Sequence, residues 1–88
     1  MIAPQQPAFN RLGIFWDIQE ERLHQNRKWG GHYHDVLHSA KEWNLFRTKY
    51  ECLAGHAEQY CNRTELRANL IKIAALAVAQ IEVLDRAS

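Results

Sequence analysis

SAKEWNLFRTKYECLAGHAEQYC, residues 39–61, decides the fold of this chain. Ser39 stands three residues before Glu42, the reciprocal spacing in which the serine hydroxyl accepts from the amide of residue 42 while the glutamate reaches back to the amide of residue 39. A helix start is fixed there. Behind it Trp43, Phe46, Tyr50, Leu53, Ala54, Ala57 and Cys61 step by three and four, an apolar stripe of helical period that needs a neighbour to pack on. The first helix-sized unit to read is therefore about 40–61. In NRTE, residues 62–65, Asn62 or Thr64 offers the cap for a further helix over about 64–86. Its buried face is expected along Leu66, Leu70, Ile73 and Ala74, continuing through Ala77, Val78, Ile81 and Leu84. Ile71, Ala75 and Val83 widen the apolar arc beyond what one neighbour covers, which points to a second contact surface, most simply between subunits.

Toward the N-terminus, Leu12, Phe15 or Trp16, and Leu23 recur near helical spacing, with Asp17, Glu20, Glu21, Arg22 and Gln25 on the other face. An amphipathic helix over about 9–28 results, ended by the glycines of WGG at 29–31. The opening MIAPQQPAF carries two prolines and reads as an arm over 1–10, ahead of a single helical domain over 11–88. No segment alternates with a period of two, and there is no internal repeat. The expected class is all-α, a small three-helix bundle completed by homo-oligomerisation, most simply a homodimer.

The 88 residues make one domain, and a chain this short buries a modest share of its surface, so a lone monomer has slim stability. Eleven basic against 10 acidic residues leave a net charge of +1, no electrostatic pull toward nucleic acid or an anionic membrane. No aromatic and basic stripe forms on the expected helices either, which argues against nucleic-acid binding. Cys52 and Cys61, if helical, stand roughly 13 Å apart along the axis, too far for a disulfide within the chain. Two unpaired thiols and no secretory apolar segment point to a reducing, cytoplasmic setting, and the apolar run IAALAVA at 73–79 is too short to cross a bilayer.

EERLHQNRKWGGHYHD (20–35), Trp43 and LIKIAALAVAQIEVLDR (70–86) together resemble the MazG-type, all-α nucleoside triphosphate pyrophosphohydrolases, in particular the short forms of phages and prophages. Glu21, Arg22, Gln25, Lys28, Trp29 and Gly30 match the family's first element, His34 and Asp35 its second, and Trp43 its third. Ala74, Ala75, Ala77, Ala79, Glu82 and Asp85 match the closing helix, so that the resemblance spans roughly residues 11–86. It implies a helical, usually oligomeric protein that uses Mg²⁺ to split a nucleoside triphosphate into monophosphate and pyrophosphate. Such chemistry needs oxygen ligands for a hard ion. The family supplies them as E-E-x-x-E on the second helix and E-x-x-D on the third.

Counted from Trp43 without gaps, the first acidic set falls here on Lys49, Tyr50 and Leu53, and a small shift recovers only Glu51. The second set falls on Asn69 and Lys72. A charged lysine cannot ligate a metal and repels one nearby. The family's metal site is thus expected to be degenerate, with no cofactor. The corresponding expectation is a binding module for a protein partner, a host-defence component being one such target, or for a nucleotide-like ligand. For the ligand, the resemblance places Arg22, Gln25, Lys28 and Trp29 at the phosphates and base, with Lys49 and Lys72 replacing the metal's charge. The alternative is a divergent Mg²⁺-dependent pyrophosphohydrolase built on Glu51, Glu58 and Glu65. His32, His34 and His38 beside Asp35 also suit a zinc or nickel ion; the plainer reading of this loop is a structural crossing, turned by glycines and anchored by Trp29.

Overall fold

The computed structural model describes residues 7–31 and 35–87, with side chains from Asn10 onward. They form three helices, α1 (Pro7–Trp29), α2 (Ala40–Gln59) and α3 (Arg63–Ala87), with no strand among the described residues. The chain is therefore all-helical. α1 begins earlier than its apolar period suggested, because a proline in the first turn gives up no helical hydrogen bond. Residues 7–10 thus belong to the helix and not to the expected arm, whose residues 1–6 lie outside the described ones.

α2 begins where the capping pair places it. The Glu42 amide donates to Ser39 Oγ at 3.2 Å and the Ser39 amide to Glu42 Oε1 at 2.9 Å. It ends at Gln59, short of residue 61, because Cys61 turns to φ +56°. The Cys61 amide then donates to the Glu58 carbonyl at 3.1 Å and the Asn62 amide to the Ala57 carbonyl at 2.8 Å, the paired bonds of a Schellman motif. Asn62 acts a second time. Its Oδ1 accepts from the Glu65 amide at 3.1 Å, so Asn62 and not Thr64 caps α3.

A left-handed backbone opposes any residue with a Cβ by about 1–2 kcal/mol, and glycine returns part of that advantage as unfolded-chain entropy. Cys61→Gly is therefore expected to raise the unfolding free energy by up to about 1 kcal/mol. Urea denaturation followed by far-UV circular dichroism checks this; a lowered midpoint contradicts it.

α3 is the axis of the molecule: α1 and α2 each pack on it and hardly meet each other. Arg47, early in α2, donates to Gln80, late in α3, so these two helices run antiparallel. Asp17, Glu21 and Arg22 meet Arg67, Lys72 and Glu82 in rising order, so α1 runs parallel to α3. The result is open and elongated, 47 × 29 × 22 Å with a radius of gyration of 14.8 Å, against about 12 Å for a compact domain of this length.

The core lies between α2 and α3, where Trp43, Leu76 and Ala79 pack with Phe46, Tyr50 and Val83 against them. His38 meets Trp43 edge-on at 5.0 Å and Phe46 at 4.8 Å, closing the top of that core. Among the described residues the other buried apolar side chains are Ala54, Ala57 and Ala75.

Two helix faces differ from the sequence reading. On α3 the buried residues are Asn69, Ala75, Leu76 and Ala79, while Leu70, Val78, Ile81 and Leu84 are exposed. The alanine-rich arc goes inward because small side chains let two helices approach one axis closely, and Asn69 is tolerated there by donating to the Glu65 carbonyl at 2.8 Å. On α1 the stripe of Leu12, Phe15, Trp16 and Leu23 is exposed, and Arg22 and Gln25 are buried instead. α1 docks through ion pairs that only α3 could complete, and no periodicity count weighs such pairs.

Among the described residues no helix is long and apolar enough to cross a membrane. Cys52 and Cys61 are both free and exposed.

Candidate functional site

Lys49, Leu53, His56 and Tyr60 follow one another at intervals of four, three and four, so they share a side of α2. Glu65, Asn69 and Lys72 do the same on α3. Because the two helices are antiparallel, these rows face one another across a groove of about 530 Å³. Lys49 and Lys72 stand at one end of the paired rows; His56, Tyr60, Asn62 and Glu65 stand at the other, beside the turn between the helices. The His56 and Tyr60 rings lie 4.7 Å apart, and Lys49 Nζ sits 5.4 Å from the centre of the Tyr50 ring. All five positions on which the acidic pattern of the resembling family falls, Lys49, Tyr50, Leu53, Asn69 and Lys72, line this one groove.

Its electrostatics favour an anion. Two lysines, Lys49 and Lys72, and one carboxylate, Glu65, line the groove. Lys72 Nζ is steadied from α1 by Glu21 Oε1 at 3.7 Å, and it remains about one-third exposed. An ammonium has three donors, so one carboxylate at that distance leaves it able to take a further oxygen. The donor set does not fit Mg²⁺. A six-coordinate ion held mostly by oxygen needs carboxylates, and the groove offers one beside two cations.

The remaining residues singled out from the sequence do not line the groove. Arg22 is the centre of a buried network: Nη2 donates to Asp35 Oδ2 at 3.3 Å and to Glu82 Oε1 at 2.8 Å, Nε donates to the same Glu82 oxygen at 3.2 Å, and Nη1 donates to Gln25 Oε1 at 3.1 Å. Gln25 Nε2 donates in turn to Glu21 Oε2 at 3.5 Å. Arg22 thus pins the loop after α1 to α3, Gln25 braces it from within α1, and both have polar atoms engaged by protein. Lys28 is exposed, its Nζ 5.3 Å from the centre of the half-buried Trp29 ring.

The acids proposed for hydrolysis separate. Glu51 and Glu58 lie on the opposite side of α2, in a second groove floored by Leu66, Leu70 and Ile73, whereas Glu65 lies with the lysines. Of the histidine cluster, His32 and His34 lie outside the described residues. His38 packs on Trp43 and Phe46, and Asp35 is bound to Arg22. Among the described residues, no group of three or more histidine, cysteine or acidic side chains is arranged to hold a metal.

Glycines do the turning in the loop. Gly30 and Gly31 adopt φ +98° and +72°, and the Gly30 amide closes α1 on the Asn26 carbonyl at 2.9 Å.

His56, Tyr60 and Asn62 enter the groove without having been singled out as ligand residues. For His56 and Tyr60 the signal was present in the four-three-four interval from Lys49, over which a stripe of apolar members alone passes; Asn62 enters from the turn, outside any helical period. No family model, curated protein or solved structure matches this chain.

Proposed function

We propose that this chain is a small MazG-like binding module whose α2–α3 groove takes a nucleotide-like, phosphate-bearing ligand without a metal. The observation that carries the reading is the convergence of Lys49 and Lys72, from two helices, on one groove in place of carboxylates. Lysine is a competent phosphate partner as a point charge. The rings of His56 and Tyr60, at the turn end, offer stacking faces for a base. Retention without hydrolysis follows from the donor set: with Glu51 and Glu58 across the helix, the groove has no pair of carboxylates to hold Mg²⁺ and activate water.

Calorimetric titration with ATP, in the presence and absence of Mg²⁺, tests this. Binding is expected without Mg²⁺ and is expected to weaken as salt rises. Lys49→Ala and Lys72→Ala should each weaken it by about tenfold or more, since hydrogen bonds to charged groups contribute about 1.5–3 kcal/mol. Far-UV circular dichroism should show that both variants keep their helices. Mg²⁺-dependent binding with pyrophosphate release would restore the hydrolase reading, and the absence of any binding would leave a protein partner as the function to pursue.

A further inference from the structure

The row that lines the lysine groove from α3 sets different chemistries in order along its length. Asn62, Glu65, Asn69 and Lys72 follow one another at intervals of three, four and three, so one side of the helix and its cap carries an amide, a carboxylate, a second amide and an ammonium. Glu65 and Lys72 stand about 10 Å apart along the axis at ~1.5 Å per residue. That span is comparable with the reach of a nucleotide from the outer edge of its base to its phosphates.

The hydrogen bonds already made within the chain fix what each polar group still offers. Asn62 Oδ1 accepts from the Glu65 amide at 3.1 Å, so Nδ2, with two hydrogens to donate, is the end left for a ligand. Asn69 is the converse. It is 7% exposed, its Nδ2 donates to the Glu65 carbonyl at 2.8 Å, and its Oδ1 has no partner among the described residues. Among those residues no fully buried side-chain oxygen is left without a partner. Asn69 Oδ1 therefore keeps contact with solvent, and the solvent that Asn69 borders is in the groove. The carboxylate of Glu65 has no partner among the described residues either, and it accepts through two oxygens.

We propose that the turn end of this groove selects guanine, so that its ligand is a guanine nucleotide; the inference rests on the groove being a nucleotide site. Guanine presents side by side, on its pairing edge, the acceptor O6 and the donors N1–H and N2–H. Asn62 Nδ2 and the two oxygens of Glu65 are the complementary set, one donor and two acceptors. Both donors of the base then meet a carboxylate, and hydrogen bonds to an ionised acceptor are the stronger kind.

The other bases fill this set less well. Adenine brings to the same edge one donor, the N6 amine, beside the acceptor N1, so one carboxylate oxygen stays unpaired. Cytosine, uracil and thymine likewise bring a donor at a single position. Beyond the base, Asn69 Oδ1 accepts from a ribose hydroxyl, and Lys49 and Lys72 meet the phosphates at the far end. The His56 and Tyr60 rings stand on the α2 side of the base end.

Calorimetric titration of the whole chain with GTP, ITP and ATP, all without Mg²⁺, tests this. ITP keeps O6 and N1–H and lacks the N2 amine, so it isolates one hydrogen bond. GTP is expected to bind about tenfold or more tighter than either ITP or ATP. Glu65→Gln keeps the length of the side chain and both backbone hydrogen bonds of residue 65, but puts a donor where one carboxylate oxygen was. It should weaken GTP by about tenfold or more and leave ATP nearly unchanged, so that the preference disappears while far-UV circular dichroism shows the helices intact. A loss of packing alone would weaken both nucleotides together and keep their ratio. ATP or ITP bound as tightly as GTP overturns the guanine assignment and leaves the groove a nucleotide site. A GTP preference that survives Glu65→Gln overturns it too, and a chain that binds none of the three overturns both readings.

Discussion

Replacing Trp43 by alanine should lower the stability of this chain by about 3–5 kcal/mol, the range for truncating a large buried aromatic side chain. Trp43 is 5% exposed and forms the centre of the only cluster that joins α2 to α3 among the described residues. Its ring meets His38 at 5.0 Å and Phe46 at 6.4 Å, both edge-on, so the loss includes two favourable aromatic contacts besides the buried area. A chain of this length has roughly 4–13 kcal/mol in total at about 0.05–0.15 kcal/mol per residue. Truncation therefore removes a large share of it. The melting midpoint should fall by at least about 12 °C in a circular dichroism scan. Trp43→Phe, which keeps an aromatic ring at the site, should lose less than half as much. A Trp43→Ala chain that melts within a few degrees of wild type would show that the α2–α3 contact does not rest on this side chain.

Arg22→Met should have the next largest effect, about 3 kcal/mol, for a different reason. Its guanidinium is 9% exposed and serves Asp35, itself 10% exposed, together with Gln25 and Glu82. Removing it leaves the Asp35 carboxylate buried beside no cation. Breaking a buried pair on one side costs about 3–5 kcal/mol, and the 44% exposure of Glu82 lets solvent screen that part of the network. Urea denaturation measures the loss. Arg22→Met combined with Asp35→Leu should recover at least half of it, because an apolar pair has no unpaired charge to desolvate. If the double variant is no better than the single one, the loss comes from packing of the arginine stem and not from the stranded carboxylate.

These two residues also show what could be read from the sequence. The Ser39 and Glu42 pair locates the start of α2 to the residue, because capping is a local matter; of the stripe behind it Trp43, Ala54 and Ala57 are buried and Phe46 and Tyr50 half-buried, whereas Leu53 and Cys61 are exposed. Counting from Trp43 assigns Lys49, Tyr50 and Leu53, and counting back from Ala74 and Ala75 assigns Asn69 and Lys72, to the acidic positions of the resembling family, and these residues line one groove. The faces of α1 and α3 were beyond such reading. α3 carries apolar residues around most of its circumference, and a period says which residues share a side but not which side turns inward. On α1, Arg22 and Gln25 are buried only because Asp35, Glu82 and each other satisfy them. Partners 13 and 60 residues away leave no mark in a local window.

Asn62 ends α2 with its amide and begins α3 with its side chain. The two helices that hold Trp43 are thus joined with no slack, and closing so short a connection asks little of chain entropy. The ion pairs by which α1 reaches α3 span separations of 50 to 60 residues. Contacts between near neighbours in sequence form faster than distant ones, so the α2–α3 hairpin is expected to close before α1 docks. α1, although it precedes that hairpin in the chain, is the element expected to settle last, and its Leu12, Trp16 and Leu23 face water even after it has docked.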